Sequence, residues 1–245
     1  MTLIKIELMK LKGSRLWIPL LVLPLISVIY GSVNYAGNQS VLQREWLSLW
    51  TQVYLFYGLF FFPSLIGVVC AYIWHGEHKH NSLRLLLTSA YSFRQIIWAK
   101  VIVTFGLIIL SQVYFLGLYG ASGLFFHFQM AFPVELLVWA FVTSLFALPL
   151  VLIQTYFSLR IRTFAPPVAL SMFFGVVTFL LSVQNVIPEL NYLVASSKLA
   201  SYINQATSVH LDIPLAIWLR LIGYSALLVV LFSYLQKKHL RNLLK

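Results

Sequence analysis

The chain has 245 residues, of which 60% are hydrophobic and 9% charged, whereas a soluble domain carries about 25% charged residues. So little charge cannot solvate a water-facing surface, which excludes an ordinary soluble domain and places the chain in the membrane class. Seventeen Lys and Arg against six Asp and Glu give a net charge of +11, an excess that in a membrane protein is tested first against loop position.

The first dozen residues put Ile4, Leu8 and Leu11 on one helical face and Lys5 and Lys12 elsewhere, which predicts a cytoplasmic N-terminal interfacial helix. It serves either as an elbow into the first span or as a simple anchor. Lys5, Lys10, Lys12 and Arg15 then precede an apolar run, as in a signal sequence, but no Ala-x-Ala-like cleavage site follows, so the run is expected to be retained. A spanning helix needs about 20 largely apolar residues. Six segments qualify, at roughly 16–33, 52–74, 97–125, 135–157, 166–183 and 214–236. They are continuous rather than alternating, which predicts an all-α membrane protein and excludes a β-barrel. The connecting stretches are too short for a separate soluble domain, so the chain reads as one transmembrane domain, 1–245. Pro19, Pro24, Pro63 and Pro149 fall inside spans and can kink them. The single Cys70 excludes a disulfide framework.

An even number of spans places both termini on one side. If that side is the cytoplasm, fourteen of the seventeen basic residues lie there and only Arg44, Lys198 and Arg220 lie outside. This is the positive-inside pattern. It accounts for the net charge without nucleic acid, because the basic residues flank spans and are not interleaved with base-stacking aromatics.

Trp46, Trp50 and Tyr54 recur every four residues near the outer end of the second span. They predict either an interfacial aromatic belt or an apolar platform for a substrate. On the cytoplasmic side, Asn81 can cap a helix, and Leu83, Leu86, Leu87 and Ala90 fall on one face with Arg84, Thr88 and Tyr91 on another. Ser92 and Gln95 then have capping-box spacing and start the third span. Such a short loop helix either lies on the bilayer or docks in a groove of a soluble partner. His75, His78 and His80 cluster beside Glu77, but His-x-x-His-x-His is not a recognised ligand spacing, and no metal is expected. Beyond the fifth span, the segment 184–213 carries two short amphipathic patterns. Arg220 lies six residues past Pro214 in the last span; it either snorkels to the outer surface or pairs with Glu135, Glu189 or Asp212 at an outer gate.

Glu77, the helix start at Asn81-Ser82, Leu85-Leu86, Arg94 and Lys100 at the head of the third span together resemble the ABC-2 type permeases. Trp50-Thr51-Gln52, Phe56-Tyr57, Phe60-Phe61-Phe62-Pro63, Tyr72-x-Trp74 and Glu77-His78-x-x-Asn81 are similar to the permeases of lantibiotic immunity and bacteriocin export. The resemblance implies the ABC-2 exporter layout of six spans, with the loop between spans 2 and 3 as the coupling helix that docks on an ATP-binding subunit. The docking residues are then Glu77, His78, Asn81, Arg84, Leu85, Leu86, Leu87 and Arg94. Trp46, Trp50, Tyr54 and Arg220 would line a substrate path or outer gate. Many ABC-2 permeases carry Gly-Thr near the helix start and Pro-x-Ser-Arg before the third span; here those places read Asn81-Ser82 and Ala90-Tyr91-Ser92-Phe93-Arg94.

No Gly-x-x-x-x-Gly-Lys-Ser/Thr phosphate loop occurs. The chain is therefore expected to bind no cofactor and to be no enzyme, with ATP and Mg held by a separate ATPase. Convergent acid, base and nucleophile groups are missing from the span interiors, against a lipid-modifying hydrolase. The resemblance implies two ATP-binding subunits, a second permease, homologous or identical, and surrounding lipid as partners. It implies export of a lantibiotic or similar antimicrobial peptide from a bacterial membrane, Gram-positive by analogy, for immunity or resistance. Export of another hydrophobic substrate, a drug or a lipid, is the alternative. So is a non-transporting sensor or assembly subunit.

Overall fold

The structure, a computed structural model, describes residues 3–79, 82–184, 194–205 and 213–243. Regular structure among them is entirely helical: α1 Leu3–Lys10, α2 Trp17–Gly37, α3 Glu45–Phe56, α4 Phe62–His78, α5 Ser82–Leu87, α6 Phe93–Phe125, α7 Val134–Leu145, α8 Leu148–Arg160, α9 Ala165–Gln184, α10 Ala195–Gln205 and α11 Leu215–Asn242. A single π-helical turn, Tyr57–Phe61, fuses α3 to α4.

Five segments are long and apolar enough to cross a membrane: Trp17–Gly37, Glu45–His78, Phe93–Phe125, Val134–Arg160 and Leu215–Asn242. Ala165–Leu181 is a shorter apolar helix. The second span is thus longer than the apolar run 52–74. It begins at Glu45, because Trp46 and Trp50 are internal and extend its buried side. The fourth is broken at Phe146–Ala147, just before Pro149, whose missing N–H leaves a helix start as its favoured place.

The α3–α4 rod is the hub of the bundle. It packs against α2, α6, α8 and α9. Pro63 cannot donate to the Leu59 carbonyl one turn back, and the π turn falls at that place. The Leu59 oxygen accepts instead from Thr178 Oγ1 of α9 at 3.4 Å. Ser171 Oγ, also on α9, donates to the Pro63 carbonyl at 2.7 Å. Gly67 permits this approach: a Cβ there would stand 2.0 Å from that of Ser171. In a bilayer such side-chain hydrogen bonds and small-residue contacts take the place of a hydrophobic driving force between helices.

α6 starts with the predicted capping box: Ser92 Oγ accepts from Gln95 N–H, and Gln95 Oε1 accepts from Ser92 N–H at 2.8 Å. The first helix divides the three apolar residues that the sequence puts on one face. Leu3 and Glu7 face inward and Leu11 beyond the helix is buried, while Ile4 and Leu8 are exposed. The inward face brings the Glu7 carboxylate to Lys100 of α6.

Candidate functional site: a buried ion cluster beneath the loop helix

Charge is scarce in this chain, yet four ionic groups meet at the end of the bundle where α1, α4, α5 and α6 converge. Lys100 lies in the second turn of α6 and is 1% exposed. Its Nζ is 2.7 Å from Glu7 Oε2 of α1 and 2.6 Å from Glu77 Oε1 of α4. It also sits 5.2 Å from the centroid of the Trp74 ring, a cation–π contact. Lys10, half-exposed at the end of α1, contacts both carboxylates, with Glu7 Oε1 at 2.9 Å. Burial works to lower the pKa of Lys10, but hydrogen bonds and charge from Glu77 and Glu7 outweigh it and hold the ammonium above its ordinary value. Two carboxylates and two ammoniums make the cluster neutral, the condition for tolerating charges out of water. The remaining oxygen of Glu77 accepts from Ser82 Oγ at 3.1 Å, which ties the first residue of α5 to the same cluster.

The loop helix is shorter than its apolar pattern: it ends at Leu87, and Ala90 is an exposed turn residue. Its faces are nevertheless distinct. Leu83 and Leu87 pack on the main core, and Leu86 packs with Leu3 and Ile96. Arg84 and Leu85 are exposed, the latter by 72%. The eight residues expected to dock therefore divide. Glu77, His78, Leu86 and Leu87 turn into the protein: Glu77 is 2% exposed, and His78 Nε2 is 2.9 Å from the Ser158 carbonyl at the end of α8. Arg84, Leu85 and Arg94 face outward. Asn81 and His80 lie outside the described residues. His75 Nδ1 is 3.3 Å from the Arg162 carbonyl, so His75 and His78 each engage a backbone oxygen rather than each other. Among the described residues no group of three His, Cys, Asp or Glu side chains could hold a metal ion.

The outer residues are corrected more strongly. Trp46, Trp50 and Tyr54 are 7%, 0% and 1% exposed, so they form neither a lipid-facing belt nor an open platform. They build an internal aromatic column. Trp50 stacks on Tyr54 at 4.3 Å, Tyr57 stacks on Phe115 at 3.9 Å, and Trp46 is ringed by Tyr119, Phe128 and Phe132. Trp46 Nε1 donates to the Met130 carbonyl, and Tyr119 Oη donates to that of Trp46 at 2.7 Å. The four-residue spacing shows that these rings share a face but not which way it points. α6 decides that by offering Gly123, where a Cβ would come within 2.2 Å of the indole. Arg220 is exposed on α11, and among the described residues no carboxylate pairs with it. Glu189 and Asp212, two of its expected partners, lie outside the described residues.

Sequence reading missed the pairing of Glu7, Lys10 and Lys100 with Glu77. The available signal was scarcity: of the six acidic residues, only Glu7 and Glu77 fall on the basic side of the bundle. A lone acid at each of two helix ends calls for a cation.

The helices define a multi-pass α-helical membrane protein. A family model described as ABC-2 family transporter protein matches residues 3–178, which include the whole ion cluster and the loop helix. The chain belongs to that family. Its members are transmembrane components that are not themselves catalytic, and membership implies an ABC ATP-binding partner in general. No curated protein and no solved structure matches the chain.

Proposed function

We propose that this chain is the membrane half of an exporter whose two ATP-binding subunits meet the exposed face of α5 at Arg84 and Leu85 and the start of α6 at Arg94, with ATP and Mg held by those subunits. The ion cluster carries this reading. It joins the loop helix, through Ser82 and Glu77, to the helices on either side of the loop and to α1. Moving α5 pulls on Glu77 through the Ser82 hydrogen bond, and Glu77 can follow only with α4 or by parting from Lys100 of α6 and Lys10 of α1. Breaking a buried ion pair costs about 3–5 kcal/mol, so the cluster acts as a stiff joint rather than a sliding contact. A second permease, homologous or identical, completes the pathway. Both termini then face the cytoplasm of a bacterial cell, in keeping with the fourteen basic residues on that side.

The substrate belongs to the amphipathic antimicrobial peptides, a lantibiotic or a relative. Support comes from the resemblance of the second span and the following loop to immunity permeases, which also suggests a Gram-positive host and a role in self-protection or resistance.

The test is co-purification with the ATP-binding subunit followed by peptide-efflux measurements. Lys100→Met combined with Glu7→Gln keeps the cluster neutral but removes both ion pairs that tie α6 to α1 and α4, leaving Lys10 on Glu77. It should retain association and lower efflux. Unchanged efflux with the joint removed would refute the coupling role, and association without any flux would make the chain a sensor.

A further inference from the structure

We propose that the notch between α5, the end of α4 and the α8–α9 turn is a carboxylate-binding site, filled by an aspartate or glutamate side chain of the ATP-binding subunit. This rests on the reading that α5 faces that subunit, and it names the chemistry of the contact. The notch has a volume of about 200 Å³ and is lined by Glu77, His78, Leu83, Arg84, Leu87 and Arg162, with Leu243 from the end of α11. Two arginines far apart in sequence, one on α5 and one past the end of α8, thus line one small cavity. Both arginines are exposed, and among the described residues neither pairs with a carboxylate. Glu77, the acid in the lining, is already matched by two lysines.

Two like charges around one cavity repel until an anion sits between them, and the planar guanidinium fork is matched to a carboxylate. The volume holds one acidic side chain with a few waters, each taking about 30 Å³. Leu83 and Leu87 give the methylene stem an apolar wall. The notch lies at the ends of α4 and α8, beside His78 and just past Arg160. Leu85, beside Arg84 and 72% exposed, supplies an apolar anchor for a protein groove to cover. These features favour an acidic protein side chain over a lipid phosphate.

The direct test uses Arg84→Lys and Arg162→Lys. Unlike arginine, lysine is coupled by a carbodiimide to a carboxylate in contact with it, an amide forming as water is lost. Treatment of the complex should yield a cross-link that maps by mass spectrometry to an Asp or Glu of the ATP-binding subunit. Arg84→Glu and Arg162→Glu should each weaken association about tenfold at low salt, and raising the salt should weaken the wild type in the same way. Arg160→Glu is the control, since that guanidinium donates to Tyr156 Oη at 3.0 Å and does not line the notch. If wild-type chain binds the subunit while both charge reversals bind it equally well, the notch assignment is wrong and the exporter reading stands. If the reversals instead reduce only binding to phosphatidylglycerol vesicles, the occupant is a lipid phosphate and the proposal is overturned. If wild-type chain binds no ATP-binding subunit, the exporter reading fails first.

Discussion

Lys100→Met is the most telling single change. The substitution keeps all but the last atom of the side chain's length and removes its charge, leaving Glu7 and Glu77, 3% and 2% exposed, with only the half-exposed Lys10 between them. A buried carboxylate that loses its partner costs about 3–5 kcal/mol. For a chain of this length each kcal/mol moves the unfolding midpoint by about 2–4 °C, so the variant should unfold roughly 6–20 °C lower. Thermal unfolding in detergent, followed by the monodisperse fraction on size exclusion, reads this directly. Adding Glu7→Gln restores neutrality, with Glu77 facing Lys10 alone, and should recover part of the loss. The two changes would then be coupled by about 1–3 kcal/mol, within the range for groups in one ionic network. A midpoint for Lys100→Met equal to the wild type, or a double variant that loses the sum of the single losses, would show that the four groups do not act as a neutral unit.

Ser92→Ala removes the cap of α6 and should cost about 1 kcal/mol, seen as a small fall in midpoint with the fold retained. Gly67→Ala drives a methyl against Ser171 and should destabilise by about 1–3 kcal/mol. Gly223→Ala, with nothing within 4 Å of the new atom, should be neutral or stabilising in the same assay. Cys70 is fully buried and should resist a water-soluble thiol reagent until the protein is denatured; labelling at native rates would show water reaching the α4–α8 contact.

Much of the fold is legible in the chain because bilayer thickness imposes a length on every span and no alternative backbone is allowed there. The apolar runs therefore locate the crossing helices, and local chemistry such as Ser92 with Gln95 locates a helix start. Facing is another matter. Ile4, Leu8 and Leu11 share a stripe by periodicity, yet Ile4 and Leu8 are exposed and Leu11 is buried, while Glu7 turns to Lys100. Trp46, Trp50 and Tyr54 share a stripe whose composition suits a membrane interface, yet it turns into the bundle. In water an apolar face points inward by default. In lipid both directions are equally apolar, so hydropathy carries no sign.

By itself the sequence determined that this is a helical membrane protein, roughly where its helices run, and which loop carries a short amphipathic helix. The tertiary structure alone decided that Glu7, Lys10, Glu77 and Lys100 form one neutral cluster, that Leu86 and Leu87 anchor the loop helix, and that Arg84 and Arg162 share a notch. The division has a physical reason: spans and caps are set by neighbours along the chain and by the thickness of the solvent, whereas ion pairs join groups up to 93 residues apart, which only packing can bring within 3 Å.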